Sequence, residues 1–349
     1  MDALQQALQL HQSGQLDEAK KLYQQILQRW PGMRDAMANR SLALLMLGDF
    51  EKGFEDYEAR WSPEAKETQR KVGKVWDGSD PRGKTLLLVS EQGYGDTIQF
   101  VRYASILADR GAKIVVSCPV EVEALVRTVR GVTRVIHPNE PVILQFDAFA
   151  PLASLPRIMK TRLETIPGDV PYMTAELHRV EHWRAKLADD PNFKVGIVWA
   201  GSSLHQNDRI RSCSLADFAP LGEVPGVTFY SLQKGAVAKE LENPPPGMRI
   251  IPVGDDLKDF GDTAALLEVL DLLISVDTSP VHVAGALNRP VWTLLARGPD
   301  WRWMIEREDT PWYPSMRLFR QERYKEWGPV FRRAAGELRA LVARRDDSK

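Results

Sequence analysis

The sequence predicts an α/β protein: two consecutive doubly wound parallel-sheet units behind an all-helical segment. Three observations carry this. Short, unbroken apolar runs recur between residues 85 and 295, each the length of a strand buried on both faces. Stretches with helical spacing lie between them, so strand and helix alternate. Residues 1–62 read as helices only. At 349 residues the chain exceeds one ordinary compact domain. The expected boundaries are a helical segment at 1–62, a linker at 63–83, a first α/β unit at 84–180 and a second at 181–349.

The elements follow in order. Gly14 separates two helical stretches, 3–13 and 16–28, and Pro31 ends the second. Pro63, Gly73, Gly78, Pro81 and Gly83 punctuate a polar stretch, which marks the linker. Strands are expected at 85–90, 113–117, 132–136 and 146–151, with helices at 97–110 and 120–130 between them. After a helix at 180–188, the second series has strands at 194–200, 227–232, 249–252, 272–276 and 291–295. Its helices are expected at 215–221, 262–270, 281–287 and 329–344. Open parallel sheets bind ligands at the carboxyl ends of their strands, so the loops there are the places to look.

Composition narrows the function. A formal net charge of −1 supplies no global basic field for nucleic acid or anionic lipid. Arg344 and Arg345 read as a solvated helix end. Cys118 and Cys213 lack metal-ligand spacing and are too few for a disulfide framework, so each reads as a small buried apolar group. No stretch reaches the roughly 18 apolar residues of a membrane-spanning helix. The polar start of the chain does not read as a secretory signal. The expected setting is cytoplasmic, with contact at the surface of the inner membrane left open.

Four motifs follow strands or interrupt the pattern. The first is Ser90-Glu91-Gln92-Gly93-Tyr94-Gly95-Asp96-Thr97. Its glycines permit a sharp turn and a close ligand approach. Asp96 or Thr97 caps the next helix in the structural reading; in the functional one Asp96 is a general base for an acceptor hydroxyl. Gln92, Gly93, Gly95 and Gln99 would then line the acceptor side. Ile98 stands where a dinucleotide fingerprint needs its third glycine.

The second motif, residues 275–287, has a strand ending in Asp277-Thr278-Ser279, Pro280 in the first helical turn, His282, and then Ala284-Gly285-Ala286. Free amides at such a helix start suit a phosphate, with Thr278 and Ser279 adding hydroxyls. The alternative is a capped helix with His282 in the core. The third motif is Val198-Trp199-Ala200-Gly201-Ser202-Ser203, followed by His205, Asn207, Asp208, Arg209 and Arg211. It is either a loop holding donor phosphates, with Gly201 beside them and Arg209 or Arg211 neutralising charge, or a solvated loop. The fourth, 300–303 and 312–321, is rich in Trp and Tyr and reads as a structural anchor more than a stacking platform. No metal site is expected, and no cofactor.

The residues of the first two motifs together resemble the heptosyltransferase-like glycosyltransferases of family 9. The run Glu91-Gln92-Gly93-Tyr94-Gly95-Asp96-Thr97-Ile98-Gln99-Phe100-Val101-Arg102-Tyr103 and the pattern Val276-Asp277-Thr278, His282 and 284–287 carry that resemblance. It implies a GT-B architecture, an inverting, metal-independent mechanism, Asp96 as base or acceptor-orienting group, and donor contacts from Asp277, Thr278 and His282. A lysine is usual where Arg209 and Arg211 are the nearest basic residues. The helical segment resembles a tetratricopeptide repeat: Gly14, Ala19, Tyr23 and Pro31 are followed, 34 residues on, by Gly48, Gly53, Tyr57 and Ala65. Such helices could dock a protein partner. The function expected is hexosyl or heptosyl transfer from a nucleotide-sugar donor to a carbohydrate or protein acceptor. The alternatives are a non-catalytic nucleotide-sugar or partner-binding scaffold and a sugar-nucleotide epimerase.

Overall fold

The computed structural model describes residues 2–138, 145–202 and 208–346. Ser203, His205 and Asn207 lie outside the described residues. The chain divides into two compact units. One comprises Met1–Pro119, Val129–Gly168 and Gly298–Trp312; the other comprises Val120–Thr128, Asp169–Arg297 and Tyr313–Lys349.

The first unit opens with α1 (Asp2–Gln12), α2 (Leu16–Arg29), α3 (Arg34–Met46) and α4 (Phe50–Tyr57). Gly14 and Gly48, 34 positions apart, both take φ +84°. Each closes a helix in the same way. Gln15 N–H donates to Leu10 O and Asp49 N–H to Leu44 O, both at 2.9 Å. Only glycine adopts this left-handed conformation without steric cost. Ala19 and Gly53 occupy equivalent places in α2 and α4. A Cβ on Gly53 would lie 2.7 Å from Leu45, so a small residue there lets α4 press against α3.

The stretch expected as a linker begins instead with a helix, α5 (Pro63–Val72). Ser62 Oγ accepts from Ala65 N–H at 3.1 Å and Pro63 fills the first turn, two start signals that outweigh its polarity. Then come β1 (Thr85–Val89), α6 (Tyr94–Phe100), α7 (Tyr103–Asp109), β2 (Lys113–Ser117), α8 (Val120–Val126, in the second unit), β3 (Val132–Ile136), β4 (Ala148–Pro151) and α9 (Leu155–Ile158). The single helix expected at 97–110 is two, interrupted at Val101 and Arg102, where the Arg102 guanidinium turns inward to the Gln99 carbonyl at 2.8 Å. The four strands form a parallel sheet in the order β3-β2-β1-β4.

The aromatic residues anchor this unit. Phe50, Phe54 and Tyr57 of α4, Phe100 of α6, and Trp301 and Trp312 form one cluster. Phe50 stacks on Trp312 at 5.9 Å and Phe100 on Trp301 at 6.4 Å between ring centroids. Each such ring buries on the order of 150–250 Å². The helical segment is therefore packed through α4 against α6 and the 301–312 segment.

The second unit continues with α10 (Leu177–Lys186), β5 (Phe193–Val198), α11 (Asp208–Arg211), β6 (Val227–Ser231), β7 (Ile250–Pro252), α12 (Phe260–Leu267), β8 (Leu272–Val276), α13 (Ser279–Ala286), β9 (Val291–Leu295), β10 (Met316–Arg320) and α14 (Gly328–Asp346). Its six strands are parallel, in the order β10-β9-β8-β5-β6-β7. The sequence reading missed β10, because Arg317 and Arg320 interrupt its apolar run; both lie half-buried at the sheet's edge. The 215–221 stretch is a 3-10 helix reaching Glu223, with Pro220 inside it denying an α-helical hydrogen bond. One face of the sheet is packed with Trp199, Phe218, Phe319, Phe331 and Leu338.

Candidate active site

Strand order places the motifs. In the first sheet β1 lies between β2 and β4, so the connection direction reverses beside β1. In the second, β5 lies between β6 and β8, and the reversal falls between β5 and β8. Loops leaving the carboxyl ends of strands at such points diverge to opposite faces and open a crevice. The first motif leaves β1. The second and third leave β8 and β5, whose ends are aligned with Val198 opposite Ser275.

In the first unit the loop 90–93 is held from both sides. Ser90 N–H donates to Ser117 O at 2.8 Å, and the Ser90 and Thr97 hydroxyls meet at 2.5 Å. Asp96 Oδ2 accepts from the Gly93 amide at 2.8 Å, reaching back across the first turn of α6 as a capping box does. Its Oδ1 accepts from Arg302 Nη2. Arg302 also bonds Asp300 Oδ1 at 2.8 Å and donates through Nε to Gln99 Oε1. Its side chain is 8% exposed, against 21% for Asp96. Burial opposes charge on Arg302, yet Asp300, Asp96 and Tyr57 together outweigh it and hold the guanidinium more firmly protonated than usual.

Gln92 and Gly93 lie at the surface, and Gly95 is half-buried. Gln99 is 0% exposed and its Nε2 has no hydrogen-bond partner. It faces Arg302 inside the unit, so it supports the loop from below. Glu91 and Arg302 escaped the sequence reading as site residues, although both sit inside motifs it singled out. Tyr57 and Arg60 of the helical segment also reach this loop: the Gln92 side-chain amide meets the Tyr57 hydroxyl at 3.0 Å, and Arg60 Nη2 bonds Glu91 Oε1 at 2.6 Å.

In the second unit α13 begins at Ser279 with Pro280 in its first turn. Thr278 is the N-cap residue, but its side chain makes no capping bond. Its hydroxyl donates to Val276 O at 3.2 Å and lies 3.0 Å from Ser275 Oγ. It pins the strand end and leaves the helix's first amides uncapped by it. Asp277 and Ser279 are half-buried at this end. His282 is buried, with Nδ1 2.9 Å from the Tyr313 hydroxyl, which is the packed arrangement weighed in the sequence. A Cβ on Gly285 would lie 2.4 Å from the Tyr313 ring, so that ring packs directly on α13.

Next to it, the loop after β5 is fixed by a residue the sequence reading passed over. Gln233 Oε1 accepts from the amides of Trp199 (3.1 Å) and Ala200 (2.9 Å), and its Nε2 donates to Ala200 O at 3.1 Å. Gly201 N–H donates to Ser212 Oγ at 3.1 Å. Ser212 Oγ donates to Asp208 Oδ1 at 2.9 Å, and Arg211 Nε approaches the same oxygen at 3.4 Å. The Arg211 guanidinium lies against the Gly201 backbone, where a Cβ would come within 2.3 Å of Nη2. Arg209 is exposed. The unit thus brings Gly201, Arg211, Asp277 and Ser279 to adjacent strand ends, and sends Thr278 and His282 inward.

Among the described residues no group of three His, Cys, Asp or Glu side chains is placed to hold a metal ion, and no helix is long and apolar enough to cross a membrane. Cys118 is buried; burial, aided by Asp217 and Glu240, pushes the Cys213 thiol up.

Residues 258–328 match the model of glycosyltransferase family 9 (heptosyltransferase). Protein FlbA of Caulobacter vibrioides is 32% identical over 345 residues, covering 90% of this chain and 57% of FlbA. The chain therefore spans little more than half the length of that relative. ADP-heptose LPS heptosyltransferase II of E. coli superimposes with a TM-score of 0.54 at 13% identity, covering 75% of this chain and 99% of that one. The glycosyl transferase family 9 structure from Veillonella parvula does so with a TM-score of 0.50 at 12% identity, over 70% and 88%. The matched segment is similar to glycosyltransferase family 9, and the two parallel-sheet units have the GT-B-like fold of the heptosyltransferases.

Proposed function

We propose that this protein is a glycosyltransferase that moves a sugar from a nucleotide-sugar donor to an acceptor hydroxyl by inverting displacement, without a required metal. The observation that carries the reading is topological. An acid-bearing glycine loop leaves the first sheet where its strand order reverses, and a helix start beside an arginine-backed small-residue loop leaves the second where its order reverses.

The second unit would take the donor. Amides at the start of α13 and Arg211 would face the diphosphate, with Arg209 as an outer cation and Asp277 directed to a donor hydroxyl. Gly201, lacking a side chain, leaves room for the Arg211 guanidinium against its backbone. His282 and Thr278 would shape this end from inside. ADP-heptose is the first donor to try, given what the E. coli enzyme is named for.

The first unit would take the acceptor, a carbohydrate or a protein hydroxyl, beside Gln92, Gly93, Gly95 and Asp96. The hydroxyl oxygen attacks the anomeric carbon as the bond to the diphosphate breaks. Asp96 accepts the hydroxyl proton, and the nucleoside diphosphate departs with the bonding electron pair, stabilised by amides and arginine. Gln99 and Arg302 hold Asp96 in place. The helical segment could bind a protein partner, and the setting would be cytoplasmic or at the inner membrane surface.

The test is incubation with UDP-, GDP-, ADP- and dTDP-sugars in the absence of acceptor. Slow release of free sugar and nucleoside diphosphate supports transfer to water in the acceptor's stead. Conversion to an isomeric sugar nucleotide would replace the reading with epimerisation. A donor that binds and stays intact, with or without candidate acceptors, would leave a scaffold.

A further inference from the structure

The β1–α6 loop carries a second carboxylate that the transfer reading does not use. Glu91 stands five residues before Asp96, and its side chain is 7% exposed. Oε1 accepts from Arg60 Nη2 at 2.6 Å; Oε2 is buried with no hydrogen-bond partner. Arg60 belongs to the single 3-10 turn that follows α4, residues Glu58–Arg60. It also bonds Glu58 Oε1 at 2.7 Å and Ser154 Oγ at 2.7 Å, and Ser154 donates to the same Glu58 oxygen at 2.8 Å. The Arg60 guanidinium lies over the rings of Tyr57 and Trp61. Beside it, Tyr57 holds Gln92. Two successive residues of the loop are thus tied to the last turns of the helical segment.

We propose that Glu91 is a positioning residue of the acceptor side: its carboxyl, bonded to Arg60, locks the loop bearing Gln92 and Asp96 onto the end of the helical segment. The proposal rests on the transfer reading. It makes that segment part of the acceptor site's framework.

The carboxyl that makes this lock changes charge near neutral pH, and its surroundings arrange this. The charged and titratable groups facing Glu91 are Arg60 and Glu58 from the 3-10 turn, Asp96 from α6, and, beyond Glu58 at 3.8 Å, Arg157 of α9. One guanidinium is shared by two carboxylates, so it compensates neither fully. Burial pushes the Glu91 carboxyl up to about 7; Arg60 opposes this, and Glu58 and Asp96 add to it. Arg60 itself is held charged: burial works against it, but Glu91 and Glu58 together prevail. Glu91 is raised to about 7 in the folded loop from its ordinary 4.5, so between those values the closed loop holds a proton that the open loop releases; closure is strongest on the acid side, weakens as pH rises towards 7 and levels off above it.

The experiment is hydrogen exchange by mass spectrometry on the full chain, following peptides that cover residues 90–100 across about pH 6 to 8.5, after correction for intrinsic exchange rates. In the wild type the loop's protection falls about tenfold through neutral pH and levels off above it. E91Q, nearly isosteric and never charged, removes that fall and leaves the loop at its more protected acid-side level. R60M extends the fall to higher pH, because the opposing cation is gone; R60K returns it most of the way to the wild-type midpoint. A mere packing role would lower protection equally at every pH. Peptides from β5 and β8 report whether each variant is folded, and a thermal shift with ADP-heptose reports donor binding separately. If E91Q keeps the wild-type profile, the lock is refuted whatever the donor does. If no variant binds a donor while the profile shifts as described, the lock stands and the transfer reading fails.

Discussion

Replacing Asp96 separates two roles that its position combines. The carboxylate closes the first turn of α6 on the Gly93 amide, and it pairs with buried Arg302. Asp96→Ala removes both contacts. Loss of the capping bond costs about 1 kcal/mol. Loss of one partner of a buried pair costs roughly 3–5 kcal/mol when the other charge is stranded. Here Arg302 keeps Asp300 at 2.8 Å, so about 1–3 kcal/mol is expected in its place. The sum, roughly 2–4 kcal/mol, lowers the melting temperature of a unit this size by on the order of 5–15 °C. Asp96→Asn keeps the shape and one acceptor and should cost at most about half as much. As a general base, however, asparagine is useless, so turnover falls at least ~10²-fold in both variants. Melting curves and turnover on the same preparations decide the matter. An Asn variant within a few-fold of wild-type turnover refutes the base role. An Ala variant as stable as the wild type refutes the structural one.

The donor side gives two more. Gln233→Leu deletes three bonds to the Trp199–Ala200 backbone and strands two amides beside a buried strand, so it should destabilise by about 2–4 kcal/mol and weaken nucleotide binding, as read by denaturant titration and calorimetry. Gly285→Ala places a methyl 2.4 Å from the buried Tyr313 ring and should cost about 1–3 kcal/mol through overpacking, with donor affinity lowered as His282 and the start of α13 shift; an unchanged melt would contradict that packing.

The α/β fold was legible because strands buried on both faces need continuous apolar runs, and those at 113–117, 272–276 and 291–295 appear in the structure at the residues expected, as does the half-exposed strand at 132–136. β10 was not, since Arg317 and Arg320 are tolerated where the sheet ends. The motif loops were visible as glycines and small residues after strands. What a sequence cannot display is pairing across long separations. Arg302 meets Asp96 from 206 residues away, Gln233 grips a loop 33 residues before it, and Arg60 reaches Glu91 from another kind of structure altogether. Trp301 and Trp312 were recognisable as anchors by type, but their partners Phe50 and Phe54 became apparent only in the fold. Asp96 and His282 were each read two ways, and the structure gives both a packing partner, leaving their chemistry to experiment.

The most direct test of the central claim is a thermal-shift screen of the intact protein against UDP-, GDP-, ADP- and dTDP-sugars. A donor present at about 100 times its dissociation constant stabilises the fold by roughly 2.7 kcal/mol. The account predicts a clear shift with one nucleotide class, lost in both Asp277→Ala and Arg211→Met, whose own melts stay cooperative. No shift with any donor from well-folded protein, or a shift that survives both substitutions, would contradict the donor site drawn here.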